Sequence, residues 1–230
     1  LLYIGEVASV ETPEIAKAAM HLLKKAGVSF TVLKNEPVSG AYMGDLMGFV
    51  DEVRQQAMKL SAAIDDSGAE TVVVLDAMDA RIMKHEYADW NCAPKAEILT
   101  ATSYFAQLVA DGKLNVKKQT GVVSVHDAGA LSRDLGETEP VRALVSAMGY
   151  ENSEMFRNRD LAKSSGGALL KRYDARLAKM LAEGRWEDLT RLGLHTIVTE
   201  APGSYAALSL AIPEGCTLSD VLVLLDKATD

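Results

Sequence analysis

Three carboxylates stand where strand-like runs give way to loops: Glu6 after Leu1–Ile4, and Asp76 and Asp79 after Thr71–Leu75. In parallel α/β sheets the C-terminal ends of the strands form the crevice in which ligands bind. Converging there, three carboxylates could hold a hard divalent ion, or one could act as a base. The plainer role is a solvated loop rim, with Asp76 or Asp79 capping the next helix. His126-Asp127 is a second candidate, an oriented histidine able to shuttle a proton. Its plainer role is a strand-end His bonded within its loop beside a turn-capping Asp. Ser39, Ser164 and Ser165 could supply a nucleophile to His126, but no Gly-x-Ser-x-Gly elbow occurs. Gly166-Gly167 could cradle a phosphate on backbone N–H groups. That loop lacks both the P-loop Lys and the dinucleotide fingerprint, so the signal is weak and a tight strand-to-helix turn is the plainer role. Cys92 and Cys216 are the only cysteines and form no CxxC pair. The nine methionines are scattered and read as core filler.

The elements that must position these groups alternate between strand and helix. Leu1–Ile4 reads as a strand. Thr12-Pro13 opens a helix, with Thr as N-cap and Pro at the first helical position. Ile15, Ala18, Ala19, Leu22 and Leu23 follow at helical spacing, and Gly27 closes the helix. A strand is expected over Val28–Leu33, a Gly-containing loop over 34–48 and a helix over 49–66. Thr71–Leu75 is a continuous apolar, β-branched run of the kind buried on both faces, followed by a helix near 77–88. Segment 89–101 reads as irregular, leading into a helix at 102–110. The plan then recurs: strand 122–125, helix 140–148, Gly loop 164–167, helix 168–183, strand 195–199 and a last helix over 217–227. Gly40 and Gly166 are 126 positions apart, Gly68 and Gly193 are 125, and Asp76 and Ala201 are 125. Three features in register indicate an internal duplication, with a first repeat over 1–115 and a second over 116–230. The fold class is α/β: two pseudo-repeated halves, each a small parallel sheet flanked by helices.

Bulk properties narrow the partners. The 230 residues are 48% hydrophobic and 24% charged, enough to bury a substantial core. A net charge of −8 with a pI near 5.1 disfavours nucleic acid and anionic membrane surfaces, which select basic patches. No apolar stretch approaches the length of a membrane span. No signal peptide is visible, and Leu1 stands where an initiator Met would, which leaves processing or a longer parent chain open. The sparse cysteines fit a reducing compartment, so the cytoplasm is expected.

These residues resemble a known family. Gly5-Glu6, Val38-Ser39-Gly40 and Asp76-Ala77-Met78-Asp79 stand where one repeat of the cysteine-rich CCG domain has Gly-Cys, Cys-Cys-Gly and Cys-Pro-x-Cys. His126-Asp127-Ala128-Gly129, Ser164-Ser165-Gly166 and Ala201-Pro202-Gly203-Ser204 stand where the second repeat has His-Asp-Pro-Cys, Cys-Cys-Gly and Cys-Pro-x-Cys. The domain occurs in heterodisulfide reductase catalytic subunits and in related glycolate, lactate and glycerol-3-phosphate oxidoreductase subunits. The resemblance covers about residues 1–210. It implies that ten positions once held cluster-binding thiolates: Glu6, Val38, Ser39, Asp76 and Asp79 in the first repeat, and Gly129, Ser164, Ser165, Ala201 and Ser204 in the second. None is cysteine here, and thiolate is what such iron sites require. The family's iron–sulfur cluster is therefore expected to be absent, and no other cofactor is expected.

The expectation is a cluster-free relative of these oxidoreductase subunits. It would serve as a structural or regulatory partner in a redox complex, or bind a small molecule in the crevice between the repeats. The alternative is a working oxidoreductase or metal-dependent enzyme with a site rebuilt around Glu6, Asp76, Asp79, His126 and Asp127. Because the first repeat gained three carboxylates, surviving chemistry is expected there or between the halves, with the ligand loops of the second repeat inert.

Overall fold

The computed structural model describes residues 1–43 and 49–230. The chain is α/β, with two all-parallel sheets flanked by helices. In the first, β1 (Leu2–Tyr3), β2 (Thr71–Val74) and β3 (Glu97–Thr100) lie in that order, with Leu2 opposite Val73 and Val73 opposite Leu99. In the second, β4 (Val122–His126), β5 (Glu151–Asn152), β6 (Thr196–Thr199) and β7 (Thr217–Asp220) take the order β5-β4-β6-β7, with Val125 opposite Val198.

Seven helices matter for the site: α1 (Glu6–Val10), α2 (Pro13–Lys25), α3 (Val50–Ser67), α4 (Ala77–Lys84), α5 (Ala101–Ala110), α6 (Glu139–Ala147) and α7 (Ala175–Thr190). Two more, α8 (Pro202–Leu208) and α9 (Val221–Ala228), follow β6 and β7. Helix α2, which follows β1, packs on α9, which follows β7; α6, which follows β4, packs on α5, which follows β3. Helices that follow strands of one sheet thus pack on helices that follow strands of the other. This packing merges the halves into one shared core, in which Leu2, Leu22 and Phe105 meet Val125, Leu144 and Leu225. Each such side chain, fully buried, contributes about 1.5–3 kcal/mol.

Four expectations are corrected. Val28–Leu33 forms no strand: the segment runs beside β1, but Thr31 only accepts one bond from the Leu2 N–H at 2.9 Å. The Glu36 carboxylate takes the next two donors on that edge, Ile4 N–H at 3.0 Å and Gly5 N–H at 2.8 Å. Thr12 does not cap α2; its Oγ1 is buried without a partner, and Pro13 alone starts the helix. Segment 89–101, expected to be irregular, contains β3, which pairs in full register with β2. The last helix begins only at Val221, because Thr217–Asp220 pairs with β6 and Asp220 then caps α9 by accepting from Leu222 N–H at 3.0 Å. The loop expected over 34–48 lies outside the described residues at 44–48.

Candidate functional site

The ten positions that align with the cysteine motifs gather around two separate spaces. In the first repeat, Gly5 carries the chain from β1 into α1 with φ 79° and ψ 162°, a region open to glycine alone. The absence of a side chain lets Asp79 approach: a Cβ on Gly5 would sit 2.3 Å from Asp79 Oδ2. Asp79 lies one turn into α4 and is buried; its Oδ1 accepts a short hydrogen bond from Ser39 Oγ, and its Oδ2 has no partner among the described residues. Ser39 is itself fixed, its Oγ accepting from Ala41 N–H at 3.1 Å and its carbonyl from Tyr87 Oη–H at 2.7 Å. Glu6, Val38, Ser39 and Asp79 border the remaining space of about 30 Å³, room for a single water. Burial, then the nearby Asp76, pushes the Asp79 carboxyl well above the usual carboxylate range.

Asp76 faces the other way. It caps α4, accepting from Met78 N–H at 2.9 Å, and it also accepts from Tyr42 Oη–H at 2.9 Å and from Gly203 N–H at 2.9 Å. The last bond ties the repeats together at the start of α8. Burial raises the Asp76 carboxyl, and these donors oppose the rise. Among the described residues no group of three or more His, Cys, Asp or Glu side chains converges as a metal site. Glu6 is exposed, and the oxygens of Asp76 are committed to N–H and O–H donors.

The second repeat is open. Gly129, Ser164, Ser165, Ala201 and Ser204 all line one cavity of about 330 Å³, joined by Tyr42, Asp76 and Met78 from the first repeat. The loops that supply them follow β4, precede α7 and follow β6. His126 ends β4 and is 1% exposed. Its Nδ1 accepts from Arg185 Nε at 3.1 Å, and Arg185, wholly buried on α7, also donates to Phe156 O at 2.8 Å. Burial and that guanidinium push His126 down to about 3, so the ring is neutral and carries its proton on Nε2. Asp127 is not turned toward His126. It takes two bonds from Arg142, at 2.7 and 3.1 Å, and a third from Arg159 N–H at 2.7 Å. In this arrangement Asp127 organises its loop and His126 is held by the core through Arg185. Ser164 Oγ accepts from Gly166 N–H at 3.1 Å in a local turn.

Arg133, Arg142, Arg185 and Tyr42 were not picked out by sequence reasoning. Arg185 left a readable trace: a cation between Ala182 and Leu189 on the apolar face of α7 must find a buried acceptor. Arg133 left none, since its placement follows from what Gly129 lacks.

The donor set does not fit an iron–sulfur cluster. The ten positions offer carboxylate, hydroxyl, methyl or isopropyl groups or no side chain, and neither Cys92 nor Cys216 borders either space.

No family model matches the chain. It is 24% identical, over its whole length, to a protein named "Probable membrane-anchored ferredoxin" from Chromohalobacter salexigens. It is 25% identical, over 88% of its length, to an EtfAB:quinone oxidoreductase from Syntrophomonas wolfei. The chain spans about a third of each relative, 36% and 30% of their lengths. The relation is a distant one to redox proteins. A solved structure of a hypothetical protein from Helicobacter pylori shares the fold at a TM-score of 0.67 and 12% identity, covering 99% of this chain and 48% of the other. Among the described residues no helix is long and apolar enough to cross a membrane.

Proposed function

We propose that this chain is a cluster-free relative of the heterodisulfide-reductase-like, CCG-domain oxidoreductase subunits. It acts as a structural or regulatory component of a cytoplasmic redox complex and holds a small molecule in the crevice between its repeats. The observation that carries this reading is the fate of the ten former ligand positions. The first repeat has filled its site with the Ser39–Asp79 pair, whereas the second has kept a cavity of about 330 Å³ walled by small residues. Such a volume lies at the lower end of small-molecule sites. The names of the two curated relatives support the redox setting. The rebuilt-enzyme alternative draws little from the geometry, because Asp127 is spent on Arg142 and the neutral His126 is a poor base.

Iron and acid-labile sulfide measured in protein purified without oxygen test the reading. The expected content is far below one cluster per chain; stoichiometric iron and sulfide would sink it.

A further inference from the structure

Gly129 stands where the resemblance places a cysteine, and the space of that lost side chain is not empty. A Cβ on Gly129 would lie 2.1 Å from Arg133 Nη2 and 2.8 Å from Arg133 Cζ. The guanidinium is laid where the thiolate would project, so a cation has replaced an anion at the cavity wall. It is anchored from one side, Nη1 donating to Ala162 O at 2.8 Å. Arg133 has no carboxylate partner among the described residues, whereas Lys163, at the same cavity, is paired with Asp188 at 2.7 Å. Asp134 at the rim lies 3.8 Å from Arg81.

A second donor comes from the end of β4. Arginine can only donate, so the bond from Arg185 fixes His126 Nδ1 as an acceptor and leaves Nε2–H as the free donor. Nε2 has no hydrogen-bond partner among the described residues, and His126 borders the cavity. Ala77, Ala128, Ala130 and Ala201 form an apolar part of the same cavity's wall.

We propose that this cavity binds a small organic acid, its carboxylate received by the Arg133 guanidinium over Gly129 and by the Nε2–H of His126. A planar guanidinium takes a carboxylate on two parallel bonds, and the alanine walls suit a short carbon skeleton better than a bare inorganic anion. The inference rests on the cluster-free reading above.

Titration calorimetry with malonate, with its uncharged diamide and with inorganic phosphate as comparison probes, tests it on the full chain. Malonate is expected to bind saturably and the diamide not. Arg133→Met, at an exposed side chain that leaves the core intact, should weaken malonate binding by about tenfold or more. His126→Asn should weaken it too, and circular dichroism reports whether that variant is folded. No saturable malonate binding at millimolar concentration, equal binding by Arg133→Met, or a preference for phosphate would overturn the proposal. Iron and sulfide are measured on the same preparation. A cluster-bearing protein fails the earlier reading, whereas a cluster-free protein indifferent to malonate fails only this one.

Discussion

The five positions in each half that align with the cysteine motifs border very different spaces. In the first, a carboxylate fills the space: Asp79 reaches under Gly5, Ser39 donates to it, and about 30 Å³ remains. In the second, the side chains are Gly, Ala and Ser, and a cavity of about 330 Å³ is open. A buried acid without a full set of partners is costly in its charged form, which is why burial drives the Asp79 carboxyl upward. An open cavity pays instead in lost packing contacts, unless something occupies it. A filled site is thus expected to be rigid and intolerant of added volume, and an open one tolerant and receptive.

The largest effect should come from adding one methyl group to the filled site. Gly5→Ala places a Cβ 2.3 Å from Asp79 Oδ2 on a backbone at φ 79° and ψ 162°. Backbone strain and overpacking each cost about 1–3 kcal/mol. A loss of about 4 kcal/mol, or roughly 10 °C in Tm for a chain this size, is expected in a denaturation experiment. A variant as stable as the parent would mean that Asp79 does not lie beneath Gly5.

The next effect contrasts the ionisable groups. His126, ordinarily near 6.5, is held down to about 3 in the fold. Below pH 6.5 the unfolded chain takes up a proton that the folded chain refuses, so stability falls as the pH drops. Between pH 6.5 and 4.5 the loss is about 2 kcal/mol. Asp79 has the opposite sign: its folded-state value is raised, so its contribution worsens as the pH rises above the ordinary carboxylate value. Urea denaturation across this range should show the acid-side loss weakened in His126→Asn. The alkaline-side loss should be weakened in Asp79→Asn. Parallel curves for parent and His126→Asn would remove the assignment of a neutral, arginine-held imidazole.

Much of this frame was legible in the sequence, and the unread parts share a cause. Apolar periodicity in Ile15–Leu23 and the β-branched run Thr71–Leu75 specify α2 and β2 locally, so both are where they were expected. The two-residue β1 and the missing strand at 28–33 depend on the edge of a sheet, where the Glu36 side chain does the work of a neighbouring strand. Strand β3 was hidden because Glu97–Thr100 is short and only its pairing with β2 makes it a strand. The ten positions stand out in the sequence only through their spacing, and their partition into a filled and an open site is not announced there. That partition rests on long-range contacts, such as Ser39 with Asp79 and Asp76 with Gly203, which no local pattern announces. The expectation that the second repeat's loops were inert was drawn from side-chain types; the space those small side chains leave is what makes them of interest.

The smallest effect on stability is the most discriminating. Gly129→Ala creates an overlap of the same size as Gly5→Ala, 2.1 Å against 2.3 Å. The obstacle differs: in one case a buried carboxylate pinned on α4, in the other the far end of an exposed arginine. The Gly129 backbone, at φ −57° and ψ −35°, already suits alanine, and such a replacement lowers unfolded-state entropy by about 0.4–1 kcal/mol. Arg133 gives up its bond to Ala162 O and swings outward, which costs about as much. Thermal denaturation should therefore place Gly129→Ala within about 0.5 kcal/mol of the parent, while its affinity for malonate falls toward that of Arg133→Met. A variant that kept full malonate affinity would show that the guanidinium is not needed over Gly129, and the contrast between a filled and a receptive repeat would lose its chemical half.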